Sequence, residues 1–227
     1  VRVDTDGDGA SDGVEVASES DPNDDGDLPT LPFGSFALTG PLTDDDSSGI
    51  DPANDYTHAV SGGGVETVNG VTFELLNSTT LPSNFNWTVS SIKNQIDNNN
   101  GGWDLGSAGV TGPGLRGLLG SFTFNNDGAP GSNQTFTLSA LTPGQTYETR
   151  LYIRKWSDDT ARGQTATFTA GAQAPASITF FADHPEELPT ALPNRDSAWY
   201  LSHRYTADAS GSLTIRFEVQ PSGSVQG

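Results

Sequence analysis

The sequence predicts an all-β fold, an antiparallel β-sandwich of the jelly-roll kind, preceded by a short acidic segment. Three observations predict it. Across 227 residues there are 27 glycines and 14 prolines, too many turn-formers for a helical bundle, while 33% hydrophobic content argues against global disorder. From Phe33 onward, short alternating runs recur between clusters of Gly, Asn, Pro and Asp, the pattern of strands and turns. The charge is lopsided: 15 of the 29 carboxylates fall in residues 1–55 with a single base, Arg2. Such a block is usually solvated unless its carboxylates are spaced for a cation.

Here the spacing is specific. Residues 4–15, DTDGDGASDGVE, place Asp4, Asp6, Asp8, Gly9 and Glu15 at every fixed position of the Ca²⁺-loop pattern D-x-[DN]-x-[DN]-G-x5-E. Asp12 takes the ninth slot and Ala10 the seventh, where a backbone carbonyl is used. Calcium is a hard ion that takes about 6–8 oxygens. Alternate residues of a tight loop aim carboxylates inward, Gly permits the sharp turn, and Glu15 closes the shell as a bidentate ligand. A true EF-hand does not fit, because only three residues precede Asp4, and Pro22 and Pro29 soon interrupt any helix after Glu15. The segment from Asp4 to about Asp27 resembles the thrombospondin type 3-like calcium repeats of bacterial secreted and surface proteins, matching DxDGDGxxDxxE and the later DP at Asp21-Pro22. The resemblance implies a second ion, held here by Asp21, Asn23, Asp25 and Asp27, although the next DxDGDG is missing. The division expected is residues 1–28 as a calcium-binding repeat and residues 29–227 as the sandwich.

A further acidic run, DDDSSGID at residues 44–51, sets Asp44, Asp46, Ser48 and Asp51 around Gly49. Two readings are open, a third cation site or a solvated turn.

In the body, strands are expected over residues 65–76, 121–124, 134–141, 146–156, 164–170, 177–182, 199–207 and 212–219, as in a sandwich or jelly roll. Leu115, Leu118, Leu119 and Phe122 at i, i+3, i+4 and i+7 predict one short helix. Asn69-Gly70 between Val68 and Val71 predicts a two-residue hairpin, and residues 208–211 predict another. Leu141, Pro143, Gly144 and Tyr147 form L-x-P-G-x-x-Y, which resembles the tyrosine corner of fibronectin type III domains. Its plain reading is a strand-connecting turn pinned by the Tyr hydroxyl. The runs TVNGVTF, FTLSALTPGQTYETRLYIRKW and YTADASGSLTIRF resemble, in that order, jelly-roll domains of bacterial exported proteins related to the galactose-binding-like and malectin-like sandwiches. That resemblance implies non-catalytic carbohydrate binding, often with a structural calcium.

Alternation along residues 147–156 puts Leu151 and Ile153 on one face and Arg150, Tyr152, Arg154 and Trp156 on the other. With the first pair in the core, the second set is either an exposed aromatic and basic stripe suited to sugars or a face buried under a loop. Arg150, Arg154, Lys155 and Arg162 make a local positive patch that suits an anionic glycan. Trp103, in the loop NNNGGWDLG, is the best second platform, whereas Trp199 is expected in the core.

A net charge of −19 disfavours nucleic acid and anionic membranes as partners. No apolar run reaches the ~18 residues of a membrane span. Cysteine is absent, so neither disulfides nor thiolate sites are available. The start at Val1 fits a mature product or a piece of something longer. The Asn-x-Ser/Thr triplets at Asn77, Asn86 and Asn133 would accept glycans only in a eukaryotic secretory route. His58, His184 and His203 are scattered, and neither a G-x-S-x-G elbow nor H-E-x-x-H is present. Adjacent pairs such as Asp158-Asp159 diverge on a strand, against a retaining glycosidase's carboxyls about 5–5.5 Å apart. The expectation is a secreted or cell-surface, non-catalytic, calcium-stabilised module that binds polysaccharide or a surface glycan. The alternatives are a structural or adhesive subunit that packs on copies of itself or neighbouring domains, and a glycan-active hydrolase or lyase.

Overall fold

The computed structural model describes residues 23, 34, 36–96, 110–154, 163–171, 174–180 and 198–220. Within them the chain forms β1 (Phe36–Leu42), β2 (Val60–Gly62), β3 (Glu66–Val68), β4 (Val71–Leu76), β5 (Phe85–Val89), β6 (Lys93–Ile96), helix α1 (Pro113–Gly120) and β7 (Phe122–Asn125). Next come β8 (Asn133–Leu138), β9 (Thr146–Arg154), β10 (Gln164–Thr169), β11 (Ala176–Phe180), β12 (Ala198–Thr206) and β13 (Leu213–Val219). Two antiparallel sheets dominate, a three-stranded one ordered β1-β12-β9 and a five-stranded one ordered β11-β10-β13-β8-β5. They enclose the main core, to which one sheet gives Leu201 and Tyr205 and the other Leu138, Phe168, Leu213 and Ile215. The architecture is an all-β sandwich. Period-two burial explains it: along β12, Trp199, Leu201, His203 and Tyr205 share one face, and His203 stacks on Phe36 with ring centroids 4.6 Å apart.

The opposite face of the three-stranded sheet is covered as well. Leu115 and Leu119 of α1 pack with Leu42 and Ala198 against Tyr152 and Tyr200. Leu118 joins Val68 and Phe73 of the β3–β4 hairpin in a third cluster. The helical spacing of the three leucines therefore marks a buried face, as expected, while Phe122 begins the next strand. Smaller sheets complete the cover, β2-β4-β3 and β6-β7.

The Asn69-Gly70 hairpin forms in the expected register, Val68 opposite Val71, with positive φ at both turn residues, 48° and 85°. Residues 208–211 do not make a hairpin. Asp208 closes the turn by accepting from Ser210 N at 2.9 Å, but β12 pairs with β1 and β9 while β13 pairs with β10 and β8. The chain changes sheet there, because both flanking strands bury their apolar faces in one shared core. Residues 141–147 make a second crossing, from β8 to β9. Tyr147 Oη accepts from Thr142 N at 2.8 Å, and Gly144, at φ 79°, donates its N–H to Ala207 O at 2.7 Å. The hydroxyl thus pins the turn. At the edge strand β1, pairing slips between Thr39 and Leu42, where Pro41 lacks an N–H to donate. Gly40 is required there, since a Cβ would meet the Trp199 ring at 2.7 Å.

Trp87 is fully buried and stacks on Phe136 at 6.5 Å. Trp87→Ala is expected to cost about 3–5 kcal/mol and Tyr147→Phe about 1 kcal/mol. Urea unfolding of the two variants beside the parent checks both, and equal losses would show that the corner carries core-sized weight.

Candidate functional site

The calcium ligands expected at Asp4, Asp6, Asp8, Ala10, Asp12, Glu15, Asp21, Asp25 and Asp27 lie outside the described residues, as do Trp103 and Trp156. Asn23 is an exposed turn residue. Arg154 ends β9.

The acidic run at residues 44–51 forms a hydrogen-bonded turn. Asp44 Oδ1 accepts Ser47 N at 2.8 Å, while Ser47 Oγ accepts Thr43 N at 2.8 Å and Asp44 N at 3.0 Å. Hydrogen bonds from the Ser47 backbone first, then from the Ser47 and Thr43 side chains, hold the Asp44 carboxyl below its usual range. Asp51 Oδ1 accepts Ala53 N at 2.8 Å. Among the described residues no three His, Asp or Glu side chains gather to hold a metal. Of the two readings of Asp44, Asp46 and Asp51, the turn describes the geometry, with the Asp44 and Asp51 carboxylates accepting backbone N–H groups.

The consequential carboxylate is Asp45, which alternate spacing passes over. Helix α1 begins Gly112-Pro113-Gly114 and has no side-chain cap at its N-cap residue. Asp45, about seventy positions earlier, supplies one: Oδ1 accepts Leu115 N at 2.7 Å and Oδ2 accepts Gly114 N at 3.2 Å. Gly112 and Gly114 make the approach possible, because a Cβ on either would collide with the Asp45 side chain or with Thr67 O. The same turn offers carbonyls to its neighbours. Asn69 Nδ2 donates to Asp45 O at 2.9 Å and to Ile50 O at 3.0 Å, and Ser48 Oγ also donates to Asp45 O.

Two residues of the expected β9 stripe end in this turn. Tyr152 Oη donates to Ser48 O at 2.8 Å, and Arg150 donates to Gly49 O at 2.6 Å and to Glu148 at 2.6 Å. The Arg150 guanidinium also lies 5.0 Å over the Tyr200 ring. The expected alternation holds, with Leu151 and Ile153 packed on the main core. Of the two readings of this face, the covered one describes Arg150 and Tyr152, which bond to the turn at residues 48–49, with Arg150 still partly exposed. Burial pushes the Tyr152 phenol well above its ordinary range, against the pull of Arg150. Burial disfavours the Arg150 charge, but the hydrogen bond and charge of Glu148 outweigh it and raise that group.

The described residues also enclose a cleft of about 490 Å³, a size typical of small-molecule sites. It opens between the inner face of β8 and β13, carrying Phe136 and Phe217, and Leu151 and Ile153 of β9, with β2 and β7 closing one side. Phe122, Phe124, Phe136 and Phe217 are only half-buried. Sequence reading missed this feature, although one signal was present. Gln134 occupies an inward position of β8, in step with Phe136 and Leu138, where period-two burial calls for an apolar residue.

Residues 4–27 match the family of the bacterial TSP3 repeat, a calcium-binding type of repeat. A stretch of 136 residues is 28% identical to the chloroplastic outer envelope protein 80 of Oryza sativa subsp. japonica, covering 57% of this chain and 20% of that protein. The chain thus spans about a fifth of that relative's length. No solved structure matches the chain significantly. Among the described residues no helix is long and apolar enough to cross a membrane.

Asp45→Ala is expected to cost about 1–3 kcal/mol and to loosen α1 first. Hydrogen exchange at Gly114 and Leu115 checks it, and unchanged protection there would overturn the capping role. Tyr152 makes stability depend on pH. An unfolded phenol ionises near 10, whereas the buried one keeps its proton to higher pH. The contribution is therefore complete below that pH and is lost progressively above it, as the unfolded chain sheds a proton that the folded chain retains. Tyr152→Phe is expected to flatten part of the decline. Tyr205, also raised by burial, keeps the remainder. Unfolding midpoints from about pH 8 to pH 11 decide it, and parallel curves for parent and variant would refute it.

Proposed function

We propose that the chain is a calcium-stabilised, non-catalytic module of an exported or cell-surface protein, with the repeat binding the ion and the sandwich serving recognition. The observation that carries this reading is the TSP3 repeat at residues 4–27, immediately ahead of a β-sandwich. The donor set supports the ion: Asp4, Asp6, Asp8, Asp12 and Glu15 are all hard oxygen ligands, the chemistry calcium takes. Asp21, Asn23, Asp25 and Asp27 are the ligands for a second ion. Support for a non-catalytic role comes from two of the three histidines, His184 lying outside the described residues. His203 is packed among Phe36, Phe168 and Tyr205, and His58 Nε2 is engaged by Asn84 O at 3.1 Å.

Carbohydrate is the recognised class in this reading, with Trp103 and Trp156 as stacking platforms, since Arg150 and Tyr152 serve the turn at residues 45–50. A second reading, a structural or adhesive subunit packing on copies of itself, draws on the outer face of the five-stranded sheet. There Thr165 and Thr179 hydroxyls meet at 2.8 Å, Thr167 and Ser177 at 2.9 Å, and Arg216 pairs with Glu218. This polar face has alternating hydroxyls and both signs of charge, which a second copy could pair with.

Calorimetric titration of Ca²⁺ into the chelator-stripped chain is expected to show one or two sites. Asp6→Ala combined with Asp8→Ala should abolish the first, and ion binding should raise the protease resistance of residues 1–28. A chelator that changes neither ion content nor protease resistance would defeat the calcium reading. Glycan-array retention that falls for Trp103→Ala or Trp156→Ala supports carbohydrate recognition. Uniform absence of retention, with calcium-dependent growth in light scattering, favours the packing subunit.

A further inference from the structure

The sandwich is unequal, three strands facing five, and the cleft lies where the shorter sheet ends at β9. The residues that line it show how each strand meets it. Apart from Asn133 at the start of β8, the five-stranded sheet contributes alternate residues, Gln134, Phe136 and Leu138 of β8 and Ile215, Phe217 and Val219 of β13. Alternate residues belong to one face of a strand, so that sheet is the floor. β9 instead contributes five in succession, residues 149–153, and β7 all four, Phe122–Asn125. Successive side chains point to opposite faces, so unbroken runs mean that the cleft follows the edges of these strands. It has the place of a further strand beside β9. The β9 edge is also ready for one. The strand pairs with β12 from Thr146 to Arg154, and among the described residues no backbone–backbone hydrogen bond leaves its other side. Proteins usually blunt such edges, as Pro41 and a slipped register do for β1. β9 has neither proline nor glycine, and its register with β12 is unbroken.

A row of backbone N–H and C=O groups beside a groove is complementary to one kind of ligand, a second backbone about 4.8 Å away. The groove says which side chains that backbone carries. Phe136 and Phe217 lie on the floor, while Phe73, Leu118 and Leu119 line the cleft from the covering layer. A strand laid between them is apolar on both faces, which calls for a continuous apolar run rather than an alternating one. A void of about 150 Å³ takes a benzene-sized group, so the 490 Å³ here has room for about three apolar side chains. Charge selects the flanks. Asp127 at the cleft and Glu148 of β9 are exposed, and the chain carries −19 in all. A second copy brings the same charge to the edge, whereas a segment with basic ends complements it. We infer that the cleft is a strand-acceptor site: a short, apolar, extended segment of a partner protein, flanked by Lys or Arg, adds to β9 and fills the groove. This surface goes beyond the module's proposed role, using neither the calcium repeat nor the expected tryptophan platforms.

The test uses the full chain in calcium and the end-capped peptide Lys-Lys-Val-Ile-Val-Thr-Val-Lys-Lys, titrated by calorimetry. Saturable binding is expected. Proline in place of the central Val removes a backbone donor and should weaken binding at least about tenfold. Glutamate in place of the four lysines should weaken it about tenfold at low salt, a gap that closes as salt rises. Ile153→Trp, which fills the cleft from β9, should abolish binding, with the melting temperature checking that the variant folds. Hydrogen exchange on the unaltered chain asks the same question without a variant. The alternate amides of residues 149–153 that turn away from β12 should exchange fast in the chain alone and slow at least about tenfold with peptide. No saturable binding, equal binding of the proline or glutamate peptide, binding retained by folded Ile153→Trp, or exchange unchanged by peptide would each overturn the inference. So would full protection of those amides before peptide is added, which assigns the edge to the chain itself or, where light scattering shows a dimer, to a second copy.

Discussion

One carboxylate fastens the second layer of this protein to the sandwich. Helix α1 is eight residues long and starts on Gly-Pro-Gly, a sequence that cannot cap itself and that spends backbone entropy on its glycines. Asp45 answers two of the orphaned N–H groups, and it can do so only because its own turn is rigid. That rigidity is shared. Asn69 from the β3–β4 hairpin and Tyr152 and Arg150 from β9 all donate to carbonyls of residues 45–50. Each bond alone is worth about 1 kcal/mol, but each requires the turn already formed, so they support one another cooperatively. The leucine face of α1 then lands on Tyr152 and Tyr200, and the sheet is buried on both sides.

That double burial explains which features are legible in the amino-acid order and which are not. Strands are legible because period two survives even in a partly polar chain, and the Asn69-Gly70 turn and the Tyr147 corner carry chemistry that only a few turn types need. The leucines of α1 are legible for the same reason at period 3.6. Alternation separates the faces of a strand, but it does not say which face meets water. Arg150 and Tyr152 therefore fall on the correct side of β9, while their surroundings stay hidden until the covering layer is seen. Sheet membership is equally hidden: residues 208–211 look like a hairpin turn locally, and only the burial of Leu213 and Ile215 opposite Leu201 decides that the chain must cross.

Asp45 is the sharper lesson. Cation-site spacing selects Asp44, Asp46 and Asp51 by their positions along the chain, yet Asp44 and Asp51 each have a backbone donor within hydrogen-bond reach. The residue with a remote task lies between them, and its partner Gly114 is 69 positions away. Glycines at Gly112 and Gly114 are the trace of that contact in the sequence, since a helix start without a Cβ at either position signals that something approaches closely. The repeat at residues 4–27 is the contrasting case. Its expected ligands are close together in sequence, so linear spacing carries the whole pattern, and the acidic excess comes with it: such a block repels itself unless a cation or solvent screens it.

The cleft reverses the logic of the rest of the core. Elsewhere the sandwich obeys period two closely enough that Trp87, Phe168 and Leu213 are almost wholly buried. Beside β9 the rule is broken at Gln134, and four phenylalanines are left half-buried in the same place. Leucine at position 134 would fill space, remove an unpaired oxygen and make a better core by every local criterion. Gln134 leaves a buried oxygen unpaired there, as Trp87 and Trp199 leave indole N–H groups unpaired elsewhere.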